Sequence, residues 1–234
     1  MTVDVAANLR AVEARIDRAA RRVGREPEEV LLVAVSKAVD VERIRQALAA
    51  GVRAVGENRV QEAKAKIAHL GRPVPWHLVG TLQTNKVREA VRLFDLIHSV
   101  DRLELARELD RRAQAEGKVI DALVQVNVAG EETKAGFAPD ELKPALEAVG
   151  ALPGLRVLGL MTMPPPVEDP EAARPWFRQL RELRDQAGLT HLSMGMTGEF
   201  EVAVEEGATM VRVGTAIFGP RPPRSRQGGE PLSD

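Results

Sequence analysis

From about residue 28 the chain alternates short runs of branched apolar residues with longer stretches in which apolar residues recur every three or four positions. The short runs, at 30–35, 53–55, 76–79, 96–98, 120–126, 156–160, 190–192 and 210–213, read as eight strands of the kind covered on both faces. The longer stretches read as amphipathic helices. Val60, Ala63, Ile67 and Leu70 share one face, as do Leu103, Ala106, Leu109 and Ala113, and then Ala173, Trp176, Leu180 and Leu183. Asp101 with Glu104 fits an N-terminal capping box, Pro139 and Pro175 suit first helical turns, and Pro153 with Gly154 parts a helix from the next strand.

Repeated βα units predict a parallel sheet, and eight of them predict a closed (β/α)8 barrel of the TIM type; a doubly wound open sheet built from the same elements is the alternative. A further helix over about residues 3–23 precedes the first strand, with Leu9, Val12, Ile16 and Ala20 on one side and arginines on the other. It is expected to cover the bottom of the barrel. The 234 residues come close to the roughly 250 typical of this fold. One domain over residues 1–219 is therefore expected, followed by a Pro-, Gly-, Ser- and Arg-rich tail at 220–234 that is expected to be disordered.

Composition narrows the chemistry. The absence of cysteine excludes disulfides and thiolate metal sites and suits a reducing interior compartment. No apolar run is long enough to span a bilayer and the N-terminal stretch lacks a signal-peptide core, so a cytoplasmic protein is expected. The 33 basic and 34 acidic residues are interspersed and leave a net charge of −1, which favours neither nucleic acid nor a membrane surface. Four scattered histidines offer no metal-ligand spacing, and no P-loop is present. A monomer is expected.

In either fold, ligands bind beyond the C-terminal ends of the strands. Lys37 follows an otherwise apolar first strand, where its ammonium would stand at the mouth with its stem against the core. Such a setting lowers the pKa of a lysine and raises the fraction of neutral amine able to attack an aldehyde; a simply solvated lysine is the plain alternative. Ser193, Gly214 and Thr215, after the last two strands, occupy the usual phosphate site of a barrel, with two glycine-containing turns as the plain alternative. Arg212 interrupts the eighth apolar run, and a buried arginine needs an acceptor. A pyridine nitrogen would serve, as would an internal salt bridge to Glu199 or Glu57.

With these residues in place, the chain resembles the pyridoxal phosphate homeostasis protein family. The match runs from about residue 3 to residue 219. It comprises Ala-Val-Ser-Lys at 34–37, Gly-Glu-Asn at 56–58 with Val-Gln-Glu at 60–62, and Trp-His at 76–77. It continues with Gly-x-Leu-Gln-x-Asn-Lys at 80–86, Leu-Ser-Met-Gly-Met at 192–196 and Met-Val-Arg-x-Gly-Thr-Ala-Ile-Phe-Gly at 210–219. The resemblance implies a barrel like the N-terminal domain of alanine racemase, pyridoxal 5′-phosphate (PLP) as cofactor and Lys37 as the Schiff-base residue. It further implies Arg212 facing the pyridine nitrogen, Ser193, Gly214 and Thr215 on the phosphate, and Asn58 lining the ring. Lys134, in Thr-Lys-Ala-Gly at 133–136, matches a segment usually written Ser-Lys-Ser-Gly and is implied as a secondary cofactor contact. Thr197 and Glu199 stand where the family usually has serine and aspartate, and Thr81 replaces a common proline.

What the resemblance implies is custody of PLP in vitamin B6 homeostasis, without established turnover and with PLP-requiring apoenzymes as partners. A PLP-dependent amino-acid racemase is the alternative. The related two-base racemase draws its second base from a tyrosine of a C-terminal domain, but this chain ends soon after strand eight and contains no tyrosine. His77, His98 and His191 could substitute in principle, though their positions in or beside strands suit packed or hydrogen-bonded core residues better.

Overall fold

The computed structural model describes residues 3–131 and 133–220; the expected tail lies outside the described residues from 221 onward. All eight apolar runs are strands, with ends shifted by a residue or two. They are β1 (Leu31–Val35), β2 (Ala54–Glu57), β3 (Trp76–Leu78), β4 (Leu96–Val100), β5 (Ile120–Gln125), β6 (Leu155–Met161), β7 (His191–Ser193) and β8 (Met210–Val213). They pair in sequence order, all parallel, and β8 returns to β1, so the sheet is a closed barrel rather than the open alternative. No helix among the described residues is long and apolar enough to cross a membrane.

Alternation along each strand divides the apolar residues into two layers. Val33, Val35, Ala54, Val79, Leu96, Leu123, Met161 and Met210 fill the barrel interior. The opposite faces, including Trp76, Ile97 and Val211, pack against helices whose buried residues include Leu105, Leu109, Phe177 and Leu180. These helices are α2 (Val41–Ala49), α3 (Val60–Leu70), α4 (Val87–Leu93), α5 (Leu103–Ala115), α6 (Leu142–Gly150), α7 (Arg174–Gln186) and α8 (Phe200–Glu205), with a short α9 (Thr215–Phe218) after β8.

The N-terminal helix, α1 (Val5–Arg22), does not cap the bottom of the barrel. It lies beside α8, α9 and α2, where it takes the place of a full-length eighth helix that the four-residue α9 is too short to fill. Val5, Leu9, Val12, Ile16, Ala19 and Ala20 are its buried face. Asn8 Nδ2 donates to the Ile217 carbonyl at 3.0 Å, and Arg15 pairs with Glu201 while stacking over Phe200.

Two local expectations change. Helix α5 has Arg102, not Asp101, at its N-cap and carries no side-chain cap; the Asp101 carboxylate instead receives the Arg102 guanidinium at 2.6 Å. On α7 the fully buried aromatic is Phe177, and Trp176 packs only partly against the core. The Pro139 and Pro175 first-turn positions hold, and Pro153 with Gly154 lies between α6 and β6.

Candidate functional site

Lys37 follows β1, and the inward alternation of Val33 and Val35 carries it to the mouth of the barrel, where it is half-buried. The β1–β2 register sets Val35 beside Gly56, and Lys37 and Asn58 each follow two residues later, past the ends of these strands. Asn58, half-buried, opens on a groove of about 520 Å³ shared with Gly80, Gln83 and Lys86. On the other flank, β8 pairs with β1 so that Val33 lies beside Arg212. A Cβ on Gly214 would stand 3.0 Å from the Val35 carbonyl oxygen, so the backbone at Gly214 and Thr215 runs close against the strand that ends in Lys37.

Arg212 lies below this rim, pointing into the barrel and 4% exposed. Nη1 donates to Ser193 Oγ at 2.6 Å and Nη2 to the Thr162 carbonyl at 2.8 Å. Neither of the alternative salt bridges forms among the described residues: Glu199 accepts from the Met196 N–H, and Glu57 is engaged by Lys66. Burial lowers the Arg212 pKa to about 10, against an opposing effect of Glu199, so the guanidinium stays charged at neutral pH.

Ser193 closes β7 and is fully buried. Its hydroxyl is committed inside the barrel, to Arg212 and to His98 Nδ1 at 2.8 Å. The adjoining loop, Met194 to Gly198, carries two glycines and one hydroxyl, that of the half-buried Thr197. Gly195 has φ +90° and lies so close to α8 that a Cβ there would meet Ala203 Cβ at 2.5 Å. Its carbonyl accepts from the Arg212 N–H, which ties the loop after β7 to β8.

His77 and His98 are core residues, as the strand pattern implied. His77 and His98 point inward, their rings linked by a 3.0 Å hydrogen bond from one ring nitrogen to the other. Burial brings His77 down to about 4, and burial together with His77 and Arg212 holds His98 well below the usual histidine range. His191 is half-buried beside Thr209 Oγ1. Lys134 lies on the loop after β5, paired with Glu131 at 3.1 Å.

Three features escaped the sequence. Thr162 enters only through its carbonyl, which no side-chain pattern reports. Gln125 ends β5 facing inward; its Nε2 donates to the Ala135 carbonyl at 2.9 Å, while its buried Oε1 has no partner among the described residues. Behind the mouth, Lys66 on α3 is buried against Glu57 and the Ser36 carbonyl. A lysine three residues after Ala63 on an apolar helical stripe, nine residues after a carboxylate that ends a strand, was the available signal.

These residues suit a phosphorylated pyridine aldehyde. They include an amine at the rim, a charged donor beneath it, glycine backbone closely packed after the last two strands, and a buried acceptor without a partner among the described residues. No cluster of His, Asp or Glu among the described residues is arranged to hold a metal ion.

Comparison with known proteins agrees. The profile of the alanine racemase N-terminal domain matches residues 7–222. The chain is 49% identical over 220 residues to a pyridoxal phosphate homeostasis protein of Aquifex aeolicus, covering 91% of this chain and 96% of the relative. The structure of PipY from Synechococcus elongatus with PLP bound superimposes with a TM-score of 0.79 at 41% identity, over 92% of this chain and 100% of that one. A protein of unknown function from Bifidobacterium adolescentis superimposes with a TM-score of 0.88 at 39% identity, over 92% of this chain and 94% of that one. The chain thus belongs to the pyridoxal phosphate homeostasis protein family, built on the barrel of the alanine racemase N-terminal domain.

Proposed function

We propose that this chain holds PLP covalently through Lys37 and keeps it available to PLP-requiring enzymes in the cytoplasm, as a monomer and without turning over a substrate of its own. The observation that carries this is the convergence at one mouth of Lys37, Asn58 and the Gly214–Thr215 backbone above a buried, charged Arg212. When bound, the cofactor supplies an aldehyde and a phosphate. Lys37 would hold the cofactor through its amine, with which the aldehyde would condense with loss of water. Gly214, Thr215 and the Met194–Gly198 backbone are the groups for the phosphate, and Asn58 lines the ring. The Ser193 hydroxyl serves through Arg212, which it positions; Lys134 is a secondary contact.

Arg212 favours custody over broad catalysis. A charged donor aimed at the pyridine nitrogen disfavours its protonation, and an unprotonated ring is a poor electron sink. A two-base racemase further needs a second proton carrier; the chain has no tyrosine, and His77 and His98 are buried and held neutral.

The test is direct. Protein mixed with PLP turns yellow, borohydride abolishes the visible band, and peptide mass spectrometry places the reduced adduct on Lys37. A colourless mixture, or an adduct confined to other lysines, removes the proposal.

A further inference from the structure

The two residues that flank Lys37 are both held by helix α3. Lys66 Nζ donates to the Ser36 carbonyl at 2.6 Å and pairs with Glu57, whose Oε1 also accepts from Ser36 Oγ at 2.7 Å. Glu57 Oε2 accepts from the Asn58 N–H at 3.1 Å, so one carboxylate fixes both rim strands. One turn back along α3, Glu62 Oε2 accepts from the Ala38 N–H at 3.1 Å and lies 3.6 Å from Lys66 Nζ. Ala38 has φ 57°, a left-handed conformation uncommon in a residue with a Cβ. The chain thus turns sharply just after Lys37, with side chains of α3 gripping it on either side.

This pair is sunk in the layer between barrel and helices. The Glu57 side chain is 0% exposed and that of Lys66 10%. A buried ion pair adds little stability over well-packed apolar residues of similar volume, so stability alone does not call for it. It does supply directed hydrogen bonds to backbone groups that no apolar pair could hold.

We propose that Lys66, Glu57 and Glu62 are positioning residues for Lys37: a clamp that fixes the backbone at Ser36 and Ala38 so that the Lys37 amine is presented to an incoming aldehyde. The clamp rests on the assignment of Lys37 as the PLP-binding amine. It acts on the outer face of the strand end, through the backbone, and never touches the cofactor.

The test uses the full chain and two variants. Lys66→Met combined with Glu57→Gln removes the clamp without leaving a lone buried charge, and Glu62→Ala frees the Ala38 N–H from a side chain that is one-third exposed. Hydrogen exchange at Ala38 and Val39 is read on ligand-free protein, and covalent capture of PLP at Lys37 is followed by absorbance and mass spectrometry. The clamp requires faster exchange at Ala38 and capture slowed roughly tenfold, at unchanged melting temperature, because small misplacements of a reacting group cost rate steeply. Capture at the parent rate with the parent absorption maximum, in whichever variants are folded, overturns it. If the parent protein itself captures no PLP at Lys37, the assignment of Lys37 fails instead, which separates the two outcomes.

Discussion

The guanidinium of Arg212 donates to Ser193 Oγ at 2.6 Å across the β7–β8 junction, and this one hydrogen bond orders a chain of four side chains. Arginine has only donors, so the serine hydroxyl accepts from it. The hydroxyl proton then points to His98 Nδ1 at 2.8 Å, and His98 Nε2–H donates to His77 Nδ1 at 3.0 Å. Were His98 to donate to the serine instead, a buried hydroxyl proton would lack an acceptor, at a cost of about 1–3 kcal/mol.

Ser193→Ala therefore does more than shorten a side chain. It leaves one Arg212 nitrogen and one His98 nitrogen buried without a partner, and stability is expected to fall by about 1–3 kcal/mol. Urea denaturation at pH 7 measures this. A second readout is specific to the chain: with its serine anchor gone, Arg212 keeps, among the described residues, the Thr162 carbonyl alone, and the absorption of the PLP-loaded variant shifts from that of the parent.

Stability should also depend on pH in a window set by the two inner histidines. His77 is held at about 4 by burial and His98 well below 6.5, whereas both titrate near 6.5 in the unfolded chain. Between those values the unfolded chain binds protons that the folded chain refuses, so stability is full above about 6.5 and falls as pH drops toward 4. For His77 alone the whole window amounts to about 3 kcal/mol. Denaturation midpoints at pH 7 and pH 5 bracket a range above the usual carboxylate titrations. His77→Gln should flatten the slope, and an unchanged slope would place the titration elsewhere.

The barrel was legible because its strands are nearly continuous apolar runs and its helices are amphipathic, two periods that sequence displays openly. The rim residues were legible for a related reason: Lys37, Asn58 and Gly214 stand where apolar runs stop. The network under the rim was not, since alternation hides which polar side chains share the interior. His77, His98 and Arg212 come from β3, β4 and β8, and only the closed register brings them together. The role of α1 was misplaced because its amphipathic face shows that it packs but not against what; the shortness of α9 was the missing clue.

Gly195 offers a test of the loop after β7. Its φ of +90° and the 2.5 Å approach that a Cβ would make to Ala203 mean that Gly195→Ala must move the loop away from α8. The expected destabilisation is at least about 1–3 kcal/mol. Because the Gly195 carbonyl accepts from the Arg212 N–H, the shift also disturbs the backbone assigned to the phosphate. PLP binding measured by fluorescence titration should weaken. The non-phosphorylated aldehyde pyridoxal, which makes no use of that backbone, should lose less affinity than PLP.

Arg212 separates the electronic role from the structural one. Arg212→Lys keeps a positive charge in the barrel but replaces a planar fork with a single ammonium, which cannot serve Ser193, Thr162 and a ring nitrogen together. Arg212→Ala removes the charge altogether. If the guanidinium keeps the pyridine nitrogen unprotonated, the alanine variant lets that nitrogen take a proton, retains PLP less tightly and absorbs at a different wavelength, with the lysine variant between the two. Spectra recorded from pH 6 to pH 9 decide the matter: a new titration in the alanine variant that is absent from the parent marks the released nitrogen. Superimposable spectra and equal retention in all three proteins would reduce Arg212 to a structural anchor for the loop and for Ser193.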